Sequence, residues 1–395
     1  MTNGRRDRFD IGSAVAHGSA GASPSRGASS ASENPDYLTK QLLTYIGNKR
    51  ALLEPIGEAV AIVKSRLGRD KLRCWDAFSG SGVVSRFLKS HSSHLIANDL
   101  EDYSAVVNRC HLTNECDVHA KELSRIVAEL NAKAADAASP PGFIEEMYAP
   151  KNENRIRGTD RVFYTRENAR RIDNYRRQID LQPVELRDLL LGPLLSEASV
   201  HANTAGVFKG FYKDRRTGLG RFGGSGADAL SRIRGEIRLE PPVLSRFACR
   251  CEVFQEDAND LAKRLPPLDF AYIDPPYNQH PYGSNYFMLN LIVDYRRPEN
   301  VSRVSGIPAD WRRSGYNVKA RAAELLQQLL ADTPADFLLV SFNNEGFIDL
   351  ERMLELLNAV GRVQMFERKY NAFRGSRSFA KRSLHTTERM FLVER

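Results

Sequence analysis

Apolar residues fall in short runs near both ends of the chain, with longer amphipathic stretches between them. Leu72–Phe78, about Ser93–Ala97, Cys251–Phe254, Leu268–Ile273 and Phe337–Phe342 have strand length and strand composition. Between them, apolar positions recur at helical spacing. Leu52, Leu53, Ile56, Val60 and Val63 mark a helix over about Ala51–Leu67. Further helices are predicted over about Ala258–Arg264, Tyr286–Tyr295, Val318–Ala331 and Phe347–Ala359. Strands alternating with helices predict an α/β fold with a mostly parallel sheet. The last two runs, Arg362–Tyr370 and Thr387–Val393, have no helix between them and predict a closing antiparallel hairpin.

From about Cys110 to Ala248 this rhythm stops. Helical stretches there are broken by polar, arginine-rich loops, which predicts a mainly helical insertion. Residues 1–36 are rich in Ser, Ala and Gly and read as a disordered tail. The expected division is therefore a tail (1–36), a first sheet segment (37–110), an insertion (111–248) and a second sheet segment (249–395). No apolar stretch follows Arg5-Arg6, so the pair is not read as a secretion signal, and no run approaches the roughly 20 residues of a membrane span. A cytoplasmic location is expected.

Three stretches at strand ends carry candidate chemistry. Asp274-Pro275-Pro276-Tyr277 follows a buried-looking strand. In open α/β sheets, ligands bind beyond the carboxyl ends of strands. The two prolines stiffen the chain and remove two donors, leaving a carboxylate, outward carbonyls and an aromatic face. That set suits a planar exocyclic amine; the alternative is a structural turn with Asp274 as a helix cap. Asp76-Ala-Phe78-Ser-Gly80-Ser-Gly82 links a strand to a helix, as in loops that bring backbone N–H groups to a nucleotide-like ligand, although many such turns carry glycines for geometry alone. Asp99 ends the next strand, where an acid can accept both ribose hydroxyls or simply sit exposed in a loop.

Net charge is +8, and it is unevenly spread. Lys151–Arg177, Gly206–Arg238 and Gly361–Arg382 carry +5, +5 and +6, so the remainder is net negative. The second block mixes Lys209, Lys213, Arg215, Arg216 and Arg221 with aromatics and glycines, and the third contains Tyr370 and Arg374. Basic residues neutralise phosphates, and loops of this kind reach base edges; a solvated surface is the other reading. The five cysteines fit no zinc spacing and are expected to be reduced thiols.

Taken in order, these pieces resemble the Dam-like (alpha-group) DNA adenine-N6 methyltransferases, in the branch associated with restriction–modification. The likeness covers about residues 40–110 and 249–395. Tyr45-Ile-Gly-Asn-Lys49 is similar to the family's N-terminal motif, which implies roles for Tyr45 and Lys49 at the methionine end of S-adenosylmethionine. Asp76 to Gly82 is similar to its glycine-rich loop, Asp99 to its ribose acid, and Asp257 to an acid near the cofactor's adenine. Asp274-Pro-Pro-Tyr277 is similar to the catalytic motif for amino-group methylation. The resemblance implies a Rossmann-like methyltransferase sheet carrying a target-recognition insertion. It further implies S-adenosylmethionine as cofactor, double-stranded DNA as partner with a possible cognate endonuclease, and no metal or membrane. A flipped-out adenine would stack on Tyr277 and give its N–H groups to Asp274 and the Pro275 carbonyl, with Tyr370 or Phe373 helping to hold it. The weighed alternatives are methylation of RNA adenine, methylation of cytosine N4, and a non-catalytic DNA-binding subunit.

Overall fold

The computed structural model describes residues 33–224, 228–344, 346–371 and 385–395. Seven strands of this described part form one sheet: β1 (Leu72–Asp76), β2 (Ser92–Asn98), β3 (Arg250–Phe254), β4 (Leu268–Ile273), β5 (Ala335–Asn343), β6 (Arg362–Asn371) and β7 (His385–Glu394). Their order is β3-β2-β1-β4-β5-β7-β6. The first five strands pair in parallel, and β7 runs antiparallel between β5 and β6. This is the mixed α/β sheet that the alternation predicts, with the closing hairpin in place.

Each strand lies within one or two residues of its sequence reading, except that β1 stops at Asp76 and leaves Ala77 and Phe78 in the turn. All six residues of β4 are buried, as expected of a central parallel strand covered on both faces. Side-chain alternation splits the core in two. Cys74, Phe270 and Tyr272 pack towards the Leu53–Leu67 and Val83–Lys89 helices. Trp75, Ala271 and Ile273 pack towards the Ala258–Ala262, Lys319–Asp332 and Leu350–Asn358 helices. The chain leaves β1 towards β2 and β3 on one side and reaches β4 and β5 on the other. The crevice between the ends of β1 and β4 is thus the switch point where such folds bind ligands.

Between β2 and β3, three long helices (Ala120–Ala134, Arg166–Asp180 and Val184–Val200) build a third core. That core also contains Tyr103, Val106 and Val107 of the Asp102–Leu112 helix, and Tyr286–Ile292 from the stretch after β4. Gly192 lets the Val184–Val200 helix approach closely, since a Cβ there would lie 2.6 Å from Cys110 Sγ. The boundary expected between 110 and 111 therefore cuts a helix, and the insertion is keyed into the sheet domain through a shared core.

At the N-terminal side, Pro35–Thr39 is helical, and Glu33 accepts from Ser245 Oγ at 2.5 Å. Described structure thus reaches a few residues before Tyr37; residues 1–32, on which most of the tail reading rests, lie outside the described residues. Among the described residues, no helix is long and apolar enough to cross a membrane. All five cysteines are free thiols.

Candidate active site

A cleft opens at the carboxyl ends of β1, β2 and β4. It brings together Tyr45, Lys49, Asp76, Phe78, Gly80, Asp99, Asp257, Asp274 and Pro276, residues spread over more than half of the chain.

Asp76 is the last residue of β1 and is fully buried. One carboxylate oxygen accepts from Ser85 Oγ at 2.6 Å, while Oδ1 has no hydrogen-bond partner among the described residues. Burial pushes this carboxyl up to about 7, with the nearby Asp274 and Asp99 charges adding to the shift. Gly80 has φ +51°, and a Cβ on it would meet the Tyr45 ring at 3.2 Å, so backbone faces the cleft there. Its N–H donates to Asp99 Oδ2 at 2.8 Å, and Glu101 N–H donates to Asp99 Oδ1 at 3.0 Å. Burial raises the Asp99 carboxyl, and these donors oppose the shift.

Gly82 departs from expectation. It does not line the cleft; with φ +74° it starts the Val83–Lys89 helix, and a Cβ would press on Asn108 Oδ1 at 3.0 Å. Asp257 sits at the rim, where its side chain caps the Ala258–Ala262 helix through Asn259 N–H at 2.9 Å.

The N-terminal loop is held over the glycine turn by aromatic stacking. The Tyr45 ring stacks on Tyr282 at 5.2 Å and on Tyr286 at 4.7 Å, and Ile46 N–H donates to Tyr286 Oη at 2.7 Å. This delivers Lys49 to a place its motif did not indicate. Its ammonium lies 3.3 Å from Asp274 Oδ1 and donates to the Tyr277 hydroxyl, which in turn donates to Asp274. Lys49 is 6% exposed and Asp274 15%, so the pair is largely shielded from water.

Asp274 follows β4 directly, and Tyr272 pairs with Asp76 across to β1. Asp274 is thus not a helix cap: the next helix is Tyr282–Asn285, with Pro281 at its N-cap. Pro275 is buried, Pro276 lines the cleft, and Tyr277 lies outside the cleft lining. Behind Tyr277, Phe347 N–H donates to its carbonyl at 2.8 Å, and a Cβ on Gly346 would come within 3.1 Å of Tyr277 Cβ. The turn after β5 therefore fixes the backbone of this segment.

Sequence reasoning missed one wall of the cleft. Residues 309–317, in the long connection before the Lys319–Asp332 helix, contribute Arg312, Ser314, Tyr316 and Asn317. Arg312 pairs with Asp102, and Tyr316 meets Phe78 edge-on at 5.4 Å. Asn317 donates to Asn278 O at 2.6 Å. Glu101 was also missed: it lines the cleft, is 4% exposed, and is pushed up to about 8 by burial. The Trp311-Arg312-Arg313 cluster was the available signal, but its contacts with the site are long-range.

The basic blocks separate in three dimensions. In Lys151–Arg177, Arg166 and Arg170 pair with the buried Glu145, Arg171 with Glu167 and Glu236, and Arg176 with Asp180. Four of the nine basic residues of that block are thus held in ion pairs, mostly with carboxylates outside it. Lys209, Lys213, Arg215 and Arg216 are exposed and form no ion pair among the described residues. Arg221 differs, because its guanidinium closes a turn on Gly223 O (3.1 Å) and Gly224 O (2.7 Å). Phe208 N–H donates to Asn285 O at 2.7 Å, which ties this loop to the segment following Tyr277. The backbone of Tyr370 lies in β6, but its side chain, Phe373 and Arg374 fall outside the described residues.

Residues 45–344 match the family model of the D12 class N6 adenine-specific DNA methyltransferases. The chain is 29% identical to Type II methyltransferase M.NlaIII of Neisseria lactamica, over 85% of this chain and 94% of the relative. It is 27% identical to Type II methyltransferase M.CviAII of Paramecium bursaria Chlorella virus 1, over 84% and 92%. A third relative, Modification methylase StsI of Streptococcus sanguinis, is 24% identical over 89% of this chain and 52% of that protein.

Proposed function

The chain belongs to this family of N6 adenine-specific DNA methyltransferases, and we propose that its cleft binds S-adenosylmethionine for methylation of a flipped-out adenine in duplex DNA. The supporting observation is the meeting of Asp76, Asp99 and Asp274 at the β1/β4 switch point. The residues fit the cofactor. Asp76 Oδ1 is a buried acceptor with no partner among the described residues, suited to the cofactor's ammonium. Gly80 presents backbone, Asp99 presents a carboxylate for ribose hydroxyls, and Phe78, Tyr316 and Asp257 surround the end suited to adenine. When bound, the cofactor supplies an electrophilic methyl group.

The protein's part is to hold the amine. An adenine amine is a poor nucleophile while its lone pair is delocalised into the ring. Asp274 and the Pro275 carbonyl accept its two N–H groups, which localises the lone pair and aims it; Tyr277 stacks on the base. Lys49 gives up Asp274 Oδ1 as the amine arrives. Extrusion of the base is required because the amine cannot reach the cleft from within the stack. Positioning and exclusion of water supply much of the rate. Residues 111–248 serve as the target-recognition region, with Lys209, Lys213, Arg215 and Arg216 on DNA. The modification arm of a restriction–modification system, acting in the cytoplasm beside a cognate endonuclease, is the setting this reading implies.

Incubation with tritiated S-adenosylmethionine and duplex DNA, single-stranded DNA or RNA tests the reading. Label is expected on adenine N6 of duplex DNA at a defined sequence, located by long-read sequencing of DNA from expressing cells. Label confined to RNA or to cytosine, or cofactor binding without turnover, would overturn it.

A further inference from the structure

The connection between the Phe287–Asp294 and Lys319–Asp332 helices contains one more tight feature, the turn Val301–Pro308, whose ends form an antiparallel bridge. Long connections without regular structure are usually functional or disordered, and this one is tightly held. Ser302 N–H donates to Ile307 O at 2.8 Å, Gly306 N–H to Ser302 O at 2.9 Å, and Ile307 N–H to Ser302 Oγ at 3.0 Å.

The insertion clamps the turn from outside. Tyr148 Oη donates to Gly306 O at 2.7 Å, and the Arg161 guanidinium donates to Ser302 O at 3.3 Å. Gly306 is required twice over: its φ is +72°, and a Cβ would lie 2.7 Å from the Tyr148 ring and 2.8 Å from Arg161. A third tie, Ser305 Oγ to Lys209 O at 2.7 Å, fastens the turn to the exposed basic loop.

So much fixation holds up a tip whose side chains face outward. Arg303 is exposed and forms no ion pair among the described residues, and Val304 is an apolar residue left 50% exposed. A rigid tip with an unpaired guanidinium and an open apolar side chain, joined to Lys209 and its basic neighbours, fits a polyanion with an apolar interior edge. We infer that the Ser302–Gly306 turn is a second DNA-contacting element, with Arg303 on a backbone phosphate and Val304 against the groove. Pre-ordering lowers the entropy cost of binding, which gives the clamps a purpose. The inference rests on the reading of duplex DNA as substrate and extends it to a turn outside the helical insertion.

The test is duplex affinity of the full chain across salt concentrations, for wild type, R303A and V304D. R303A should lower the log–log salt slope by about 0.9, the contribution of one phosphate contact. V304D, which leaves Arg303 in place, should weaken binding by setting a carboxylate against DNA. Both sites are exposed, so equal unfolding midpoints are expected and should be verified. A wild-type slope in R303A, or wild-type affinity in V304D, overturns the inference. Failure of wild-type protein to bind duplex would instead overturn the function on which it rests.

Discussion

Lys49 Nζ lies 3.3 Å from Asp274 Oδ1, which joins the N-terminal loop to the residue that ends β4. Both groups are largely shielded from water, so the interaction is stronger than a surface pair. Replacing Lys49 with Met keeps length and removes charge. We expect kcat to fall, with cofactor affinity retained. Single-turnover methylation, alongside calorimetric titration of S-adenosylmethionine, checks both. A pure cofactor defect would return Lys49 to the role its motif suggested.

Asp274→Ala should remove methylation while sparing cofactor binding. In the proposed mechanism the carboxylate acts on the amine as the nitrogen becomes tetrahedral and gains positive charge, so its loss belongs in kcat. Removing one preorganised electrostatic partner typically costs about 10²–10³ in rate. Asp274→Asn keeps an acceptor and should retain more activity than Ala. Near wild-type kcat in folded Asp274→Ala would exclude it from the chemistry.

Asp76 gives a pH-dependent expectation. Burial raises its carboxyl from the ordinary 3.8 to about 7, so the folded, ligand-free protein disfavours the charged form. Ionisation in the unfolded chain then costs folding stability progressively between about pH 4 and pH 7. Asp76→Asn should therefore stabilise the ligand-free protein, by little at pH 4 and by most above pH 7. Cofactor affinity should show the reverse, rising in wild type as Asp76 ionises and staying flat in the variant. Thermal melts and calorimetry from about pH 4 to about pH 7.5, spanning that window, measure both.

Two pairs of arginines separate surface from scaffold. Arg215 and Arg216 replaced together by Ala should lower the salt slope of DNA affinity by about 0.9 for each phosphate they neutralise. Arg166 and Arg170 replaced by Ala should leave the slope unchanged and cost stability. That change strands Glu145, whose side chain is 3% exposed, at on the order of 1–3 kcal/mol or more. Equal slopes in both double variants would show the Arg215 loop to be solvated surface.

Much of this was legible in one dimension because it depends on local pattern. Alternation of side chains across a strand fixes which residues face each core, so Trp75 and Cys74 part company without reference to distant residues. Strand-end motifs likewise report their own position, since parallel strands present their carboxyl ends together. Asp76, Asp99 and Asp274 were therefore readable as neighbours, and the resemblance supplied their order. Tertiary structure decided the rest, where a side chain's partner lies far along the chain. Charge counts could not tell Arg166, consumed by Glu145, from Arg215, left open. Gly82 and Gly80 look alike in sequence, yet Asn108 takes one and Tyr45 faces the other. Lys49 reaches Asp274 from a loop that Tyr282 and Tyr286 hold by stacking on Tyr45. The Tyr316 wall is held by Phe78, Asn259, Asn278 and Asp102, all far from it along the chain. Such contacts follow from the packing of whole elements, and no local spacing encodes them.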